Sequence, residues 1–324
     1  MEQEHYLNDP WLLAAWPGMG SVAISADYYL MAKLGMHLLA EYPAREFFDL
    51  ERVEVKGGLI QTGRLPRSRL FLWHDPRKRH DLIVFVGEAQ PPTKGGAFCS
   101  QLIGHARRLG VHRVFTFAAM ATQMRPEHDS RVFGAAIDRE TLADFKRLNM
   151  VELEQGYISG LNGVLLGIAA EQGMRGGCLL GEMPHIFSQF PFPKASLAVL
   201  DAFTRLAGIT IDFAELNEQA RNVEKGLEQF LHHLEDATQP EEAAAKASVE
   251  PVAEDTGPGL IEPATRLNAR DRQRLDELFA AAGEDRSRAY ELKRELDRLK
   301  VFHQYEDRFL DLFKEPKAKK PDAG

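Results

Sequence analysis

The stretch from Asp81 to Ala118 constrains this chain most. Leu82-Ile83-Val84-Phe85-Val86 is an apolar run long enough for one buried strand, and Gly87-Glu88-Ala89-Gln90-Pro91-Pro92 turns the chain. Thr93 to Leu109 then reads as a helix, with Phe98, Leu102, Ile103 and Leu109 on one side. Gly110 stops it, and Val111 to Ala118 begins a second buried strand. Strand, turn, helix and strand within about forty residues is a βαβ unit with a right-handed crossover, so the sheet it belongs to is parallel at that point.

The flanking sequence repeats the same logic. Trp11 to Trp16 is a short apolar strand, Pro17-Gly18-Met19-Gly20 a turn, and Ser21 to Leu34 a helix that Ser21 can cap. Met36 to Phe48, Val53 to Thr62 and Leu70 to His74 read as extended, and Asp75 to His80 as a polar loop. Met120 to Asp129 is a loop at a strand's C-terminal end, where open α/β sheets place ligands. Arg131 to Ile137 is a further strand. Arg139 to Leu148 is a helix capped by Asp138, Val164 to Gln172 an apolar helix, and Cys178 to Pro184 a strand with its exit turn. Pro193 opens a helix that runs to about Ala207, and Asp212 to Glu235 is mostly helical.

Composition matters most beyond that point. From Gln239 to Pro263 the chain is rich in Ala, Glu, Pro and Gly and nearly lacks large apolar residues, the composition of a disordered acidic linker. Asn268 to Ala282 and Glu284 to Phe313 read as two helices broken at Gly283, with Leu275, Leu278, Ala282, Ala289, Leu292, Leu296, Leu299, Leu310 and Phe313 forming a seam. The expected organisation is an α/β core over residues 1–238, a linker over 239–267, a helical hairpin over 268–314 and a flexible basic tail over 315–324. The hairpin docks either on its own domain or on a partner.

The chain's net charge of -8 argues against nucleic acid as a partner. No apolar stretch approaches the roughly 18 residues of a membrane span, and the N-terminus lacks the pattern of a signal peptide, so a cytoplasmic protein is expected. Cys99 and Cys178 sit in apolar surroundings that suit core packing. No metal site is expected: Glu127, His128 and Asp129 are adjacent on a loop and point different ways, and His232-His233 reads as one inward and one outward residue. P-loop and nucleophile-elbow patterns are absent from the sequence, and no cofactor is implied.

Trp16-Pro17-Gly18-Met19-Gly20, Gly87-Glu88-Ala89-Gln90-Pro91, Met124-Arg125-Pro126, Gly160-Leu161-Asn162-Gly163, Leu180-Gly181-Glu182-Met183-Pro184 and Phe192-Pro193-Lys194-Ala195-Ser196 occur in this order. As a set they resemble the proteasome assembly chaperone 2 family in its bacterial and archaeal branch, over roughly Trp11 to Leu234. The resemblance implies a three-layer αβα domain with a mostly parallel central sheet, similar in fold to nucleoside phosphorylases and hydrolases. It also implies homo-oligomers and a chaperone or scaffold role toward protein partners, with the C-terminal helices as a docking element. Members can dock on proteasome rings through a hydrophobic-tyrosine-any residue tail. This sequence ends Asp322-Ala323-Gly324, which leads us to expect a different docking mode.

The alternative is a nucleoside hydrolase or phosphorylase-like enzyme. Glu88 and Glu182, both at strand exits, would be its acid/base pair. Gly18, Gly20, Gln90, Arg125 and Asn162 would bind the ligand, with Arg125 and the glycine turn's N–H groups holding phosphate. Each residue also has a structural role to fill: turn capping for the two glutamates, a loop ion pair with Glu127 or Asp129 for Arg125, and helix capping for Asn162.

Overall fold

The computed structural model describes residues 7–42, 45–49, 53–61, 63–237 and 267–314. The sequences read as an acidic linker, except Leu267, and as a basic tail lie outside the described residues. The strands are β1 (Trp11–Ala15), β2 (His37–Tyr42), β3 (Glu54–Lys56), β4 (Leu59–Gln61), β5 (Ser68–Trp73), β6 (Leu82–Gly87), β7 (Arg113–Thr122), β8 (Val132–Ala136), β9 (Val151–Glu152) and β10 (Arg175–Pro184). The helices are α1 (Val22–Leu34), α2 (Gly95–Arg108), α3 (Arg139–Arg147), α4 (Gly160–Glu171), α5 (Pro193–Ala207), α6 (Ala214–Ala237), α7 (Ala269–Glu284), α8 (Ala289–Arg298) and α9 (Phe302–Asp311).

Eight strands form one sheet in the order β2-β5-β6-β1-β7-β10-β8-β9, while β3 and β4 pair separately. The central four, β6, β1, β7 and β10, are parallel. Antiparallel pairs join at both flanks, β5 with β2 and β6 on one side and β8 with β10 on the other. Strand alternation sends Leu13, Val84, Phe115 and Leu179 to one face and Leu12, Ile83, Val114 and Cys178 to the other. The first face is covered by α1, α3, α5 and the C-terminal helices, and the second by α2 and α4. The result is the expected αβα sandwich.

Two local readings change. Ser21 does not cap α1 through its side chain: it is the last residue of a 3-10 turn over Met19–Ser21 and takes left-handed backbone at φ 50°. The segment from Glu284 to Phe313 is not one helix. Asp285 is extended and its side chain accepts from Ser287 N, and Lys300 takes φ 55°, so the chain bends twice.

The seam of α7–α9 is buried against its own chain. Phe302 and Phe309 each stand 5.4 Å from the Tyr28 ring, Tyr290 meets Tyr29 at 4.5 Å, and Phe313 meets Phe71 at 5.8 Å. Leu38 N donates to Phe313 O at 2.7 Å, which occupies a backbone donor on the edge strand β2. Each aromatic ring buried this way contributes about 1.5–3 kcal/mol.

Candidate functional site

Parallel pairing brings the exits of β1, β6, β7 and β10 to one rim. The glycines there are needed for close approach. Gly20 has φ 60°, and a Cβ on it would lie 2.6 Å from Met183 Sδ. A Cβ on Gly87 would collide with the Trp16 indole. Gln90 ties the rim together: its Nε2 donates to Pro17 O at 3.2 Å and its Oε1 accepts from Leu161 N at 3.0 Å. The Gly18–Gly20 turn, Gln90 and the start of α4 are therefore neighbours. Asn162 lies within the first turn of α4 and does not cap it. It is buried, its carbonyl accepts from the Thr116 hydroxyl at 3.3 Å, and its Oδ1 is buried without a hydrogen-bond partner.

The two strand-exit glutamates are not brought together. Glu88 follows β6 and continues its alternation onto the α1 face, where it accepts from Arg64 Nη1 at 2.6 Å, Arg67 N at 2.9 Å and Arg69 Nη1 at 3.0 Å. Glu182 is not in a turn at all. It lies inside β10 on the α2/α4 face, where Arg131 grips it through Nε at 2.7 Å and Nη2 at 2.6 Å and the Thr122 hydroxyl donates at 2.8 Å. Two strands stand between them in the sheet, a separation of roughly 14 Å at normal strand spacing. Burial raises the Glu88 pKa above the usual carboxylate range, while the hydrogen bonds from Arg131 lower that of Glu182. Carboxylates pushed apart in this way are what an acid/base couple needs, but here the sheet itself divides them.

Arg125 pairs with Glu127 at 2.6 Å on an exposed loop, so it carries the loop ion pair. Lys194 pins the same loop by donating to Pro126 O at 2.7 Å and His128 O at 3.0 Å. Both cysteines are buried, and burial pushes their thiols up to about 12. Among the described residues no group of three or more His, Cys, Asp or Glu could hold a metal ion, and no helix is long and apolar enough to cross a membrane. The side chains of His232 and His233 lie outside the described residues.

Sequence reasoning missed the residues that engage the glutamates. Arg69 is almost fully buried and bridges Glu88 to Asp307 of α9, and Arg64 and Arg67 also pair with Asp307, at 3.1 and 2.9 Å. The only signal was a basic residue at the head of an apolar strand. The rim also exposes apolar side chains: Met19, Ile186, Phe190 and Phe230 are each about half exposed. Phe187 packs between Phe190 and Phe230 with its ring 6.3 Å from each. Gly20 N donates to Ser188 O and Phe192 N to Gly20 O, which places Met19 beside them.

The sequence model of the PAC2 family matches residues 12–231. An uncharacterized protein of Methanocaldococcus jannaschii is 25% identical over 233 residues, 70% of this chain and 84% of that protein. Among solved structures, PbaB of Pyrococcus furiosus, an archaeal proteasome activator, superposes with a TM-score of 0.58 at 25% identity, covering 69% of this chain and 94% of PbaB. A PAC2 family protein of Streptomyces avermitilis gives 0.56 at 25% identity over 68% and 95% of the two chains. A proteasome-assembly chaperone homologue of Mycobacterium tuberculosis, at 20% identity and a TM-score of 0.58 over 72% and 97%, shows the same fold. Helices α7–α9 lie beyond the family match.

Proposed function

The chain belongs to the PAC2 family, and on that footing we propose that it is a self-associating cytoplasmic scaffold that holds protein partners at the strand-exit rim. The observation that carries this reading is the cluster of Met19, Ile186, Phe190 and Phe230. Ion pairs lie beside it, Arg125 with Glu127 and Lys194 with Glu224. An apolar centre with a charged border is the anatomy of a protein–protein contact. PbaB, a proteasome activator, supplies the class of work: handling a large multi-subunit partner. The seam of α7–α9 is spent on its own domain, which leaves the rim as the better docking surface.

The test is light scattering on the full chain, with Phe190→Asp and Phe230→Asp as variants. Both residues are exposed, so circular dichroism should stay unchanged. The native chain should run as a multiple of 36.4 kDa, and the double variant as a smaller species that no longer captures partners in cross-linked pull-downs. Unaltered mass and capture in the variant would reject the rim as the docking surface.

A further inference from the structure

The apolar stripe of α6 outlasts the helix it packs on. Leu216, Ala220, Val223, Leu227, Phe230 and Leu234 follow one another at alternating spacings of four and three, the seven-residue repeat of a coiled coil. α6 has 24 residues and α5 has 15, so they are about 36 and 22 Å long. A short connection makes the two antiparallel, and the Lys194–Glu224 ion pair at 2.8 Å sets the first turn of α5 level with Glu224. From there to Ala237, α6 runs on for about 20 Å past the start of α5. Exposure follows along the stripe. Leu216 and Ala220 are buried and Val223 and Leu227 half-buried, while Phe230 is 52% exposed although its ring stands 6.3 Å from Phe187.

Gly226 supplies a second observation. A glycine inside a helix weakens it, and a Cβ at Gly226 would meet nothing within 4 Å, so its own chain does not need the space. Positions 223, 226, 227 and 230 bound a hole of the kind that receives one side chain from a facing helix. With no side chain at Gly226, that hole is wide enough for an aromatic ring. The stripe looks over the domain, so a parallel partner helix would carry its own domain into this one, whereas an antiparallel partner arrives tip first. The overhang of α6 is itself a helix with the matching repeat. Electrostatics agree with that choice. The last turn of α6 holds Glu235 and Asp236 and no basic residue, and the start of α5 has no side-chain cap. Antiparallel pairing brings the negative end of one α6 toward the positive start of the other copy's α5.

We propose that two copies of this chain pair through these overhangs in an antiparallel, two-fold contact. Val223 faces Leu234 of the second copy, Leu227 faces its Phe230, and each Phe230 ring packs over the other copy's Gly226. The proposal rests on the self-association read above and names its surface, while Met19, Ile186 and Phe190 stay with the protein partner.

Cysteine cross-linking of the full chain tests this, since Cys99 and Cys178 are both buried. Positions 223 and 234 are about 16 Å apart on one helix, too far for a disulfide, so a bridge in Val223→Cys/Leu234→Cys joins two copies. Mild oxidation should give at least tenfold more linked dimer than in Leu234→Cys alone, whose cysteines lie equally far apart across the two-fold. Gly226→Gln improves the helix and meets open space in its own chain. Its melting temperature should not fall, while the dissociation constant of the dimer rises at least tenfold. Equal linking in the two cysteine variants, or a Gly226→Gln dimer as tight as the native one, would overturn the pair. Absent linking with a native mass that is still a multiple of 36.4 kDa would overturn it and leave the self-association reading standing. A native chain that runs at 36.4 kDa would overturn both.

Discussion

The two faces of the central sheet are closed by different chemistry. Under α2 and α4 the contacts are mainly apolar: Phe98 sits among Trp16, Tyr42, Phe47 and Phe85, with ring centroids 5.2–6.2 Å away. Under α1 and the C-terminal helices, charge is buried. Arg69 lies between Glu88 and Asp307, the Tyr28 hydroxyl donates to Glu306 at 2.9 Å, and Asp27 is buried with neither carboxylate oxygen paired. The α2/α4 face is assembled from neighbouring βαβ units. The α1 face must seat a segment from the far end of the chain, and apolar contact alone would accept α9 in many orientations where the Arg69–Asp307 pair accepts few.

The largest expected effects compare one residue from each face. Phe98→Ala should cost about 3–5 kcal/mol in urea unfolding, because the cavity has nothing to fill it. Arg69→Met should cost on the order of 3 kcal/mol, because it strips a buried carboxylate of a partner. The two losses differ in kind. Adding Glu88→Gln to Arg69→Met should recover part of the stability, since a neutral pair needs no counter-charge. If the double variant is no better than the single, Arg69 acts by packing and the contrast between the faces is lost.

The same contrast decides what could be read from the sequence. The βαβ unit, the Asp138 cap of α3 and the proline start of α5 are local, and each is where periodicity and capping place it. Arg69 and Asp307 are 238 positions apart, and no pattern of period 2 or 3.6 links them. Glu182 was misplaced for a different reason. Gly181-Glu182-Met183-Pro184 carries turn signals, but ten residues of in-register pairing with β7 hold it extended through Pro184. Asn162 was misplaced because α4 begins at Gly160, earlier than its apolar run.

A pH series separates buried acids that have a counter-charge from Asp27, which has none. Burial without a partner holds the Asp27 pKa well above its ordinary value. The folded chain therefore keeps a proton that the unfolded chain releases near pH 4. Stability falls as pH rises from that point, by up to about 1.4 kcal/mol per pH unit, until the folded-state pKa is passed. Asp27→Asn cannot titrate, so its advantage over the native chain should widen from about pH 4 upward. Denaturation curves that stay parallel across the series would mean that Asp27 is not a source of strain on this face.

The smallest effect asks whether the C-terminal helices melt with the face they cover. Asn268 caps α7 by accepting from Asp271 N at 2.8 Å, and it is exposed, so Asn268→Ala removes a cap and little else. The cost should be about 1 kcal/mol. If α7–α9 and the core form one cooperative unit, that loss lowers the single unfolding midpoint and speeds hydrogen exchange equally in α1 and α8. If the helices open by themselves, exchange rises only in α7–α9 while α1 and the sheet keep native protection. The rings packed on Tyr28 and Tyr29, together with the Arg69 bridge, favour the first outcome. The second would mean that buried charge orients the segment without joining it to the core's cooperativity.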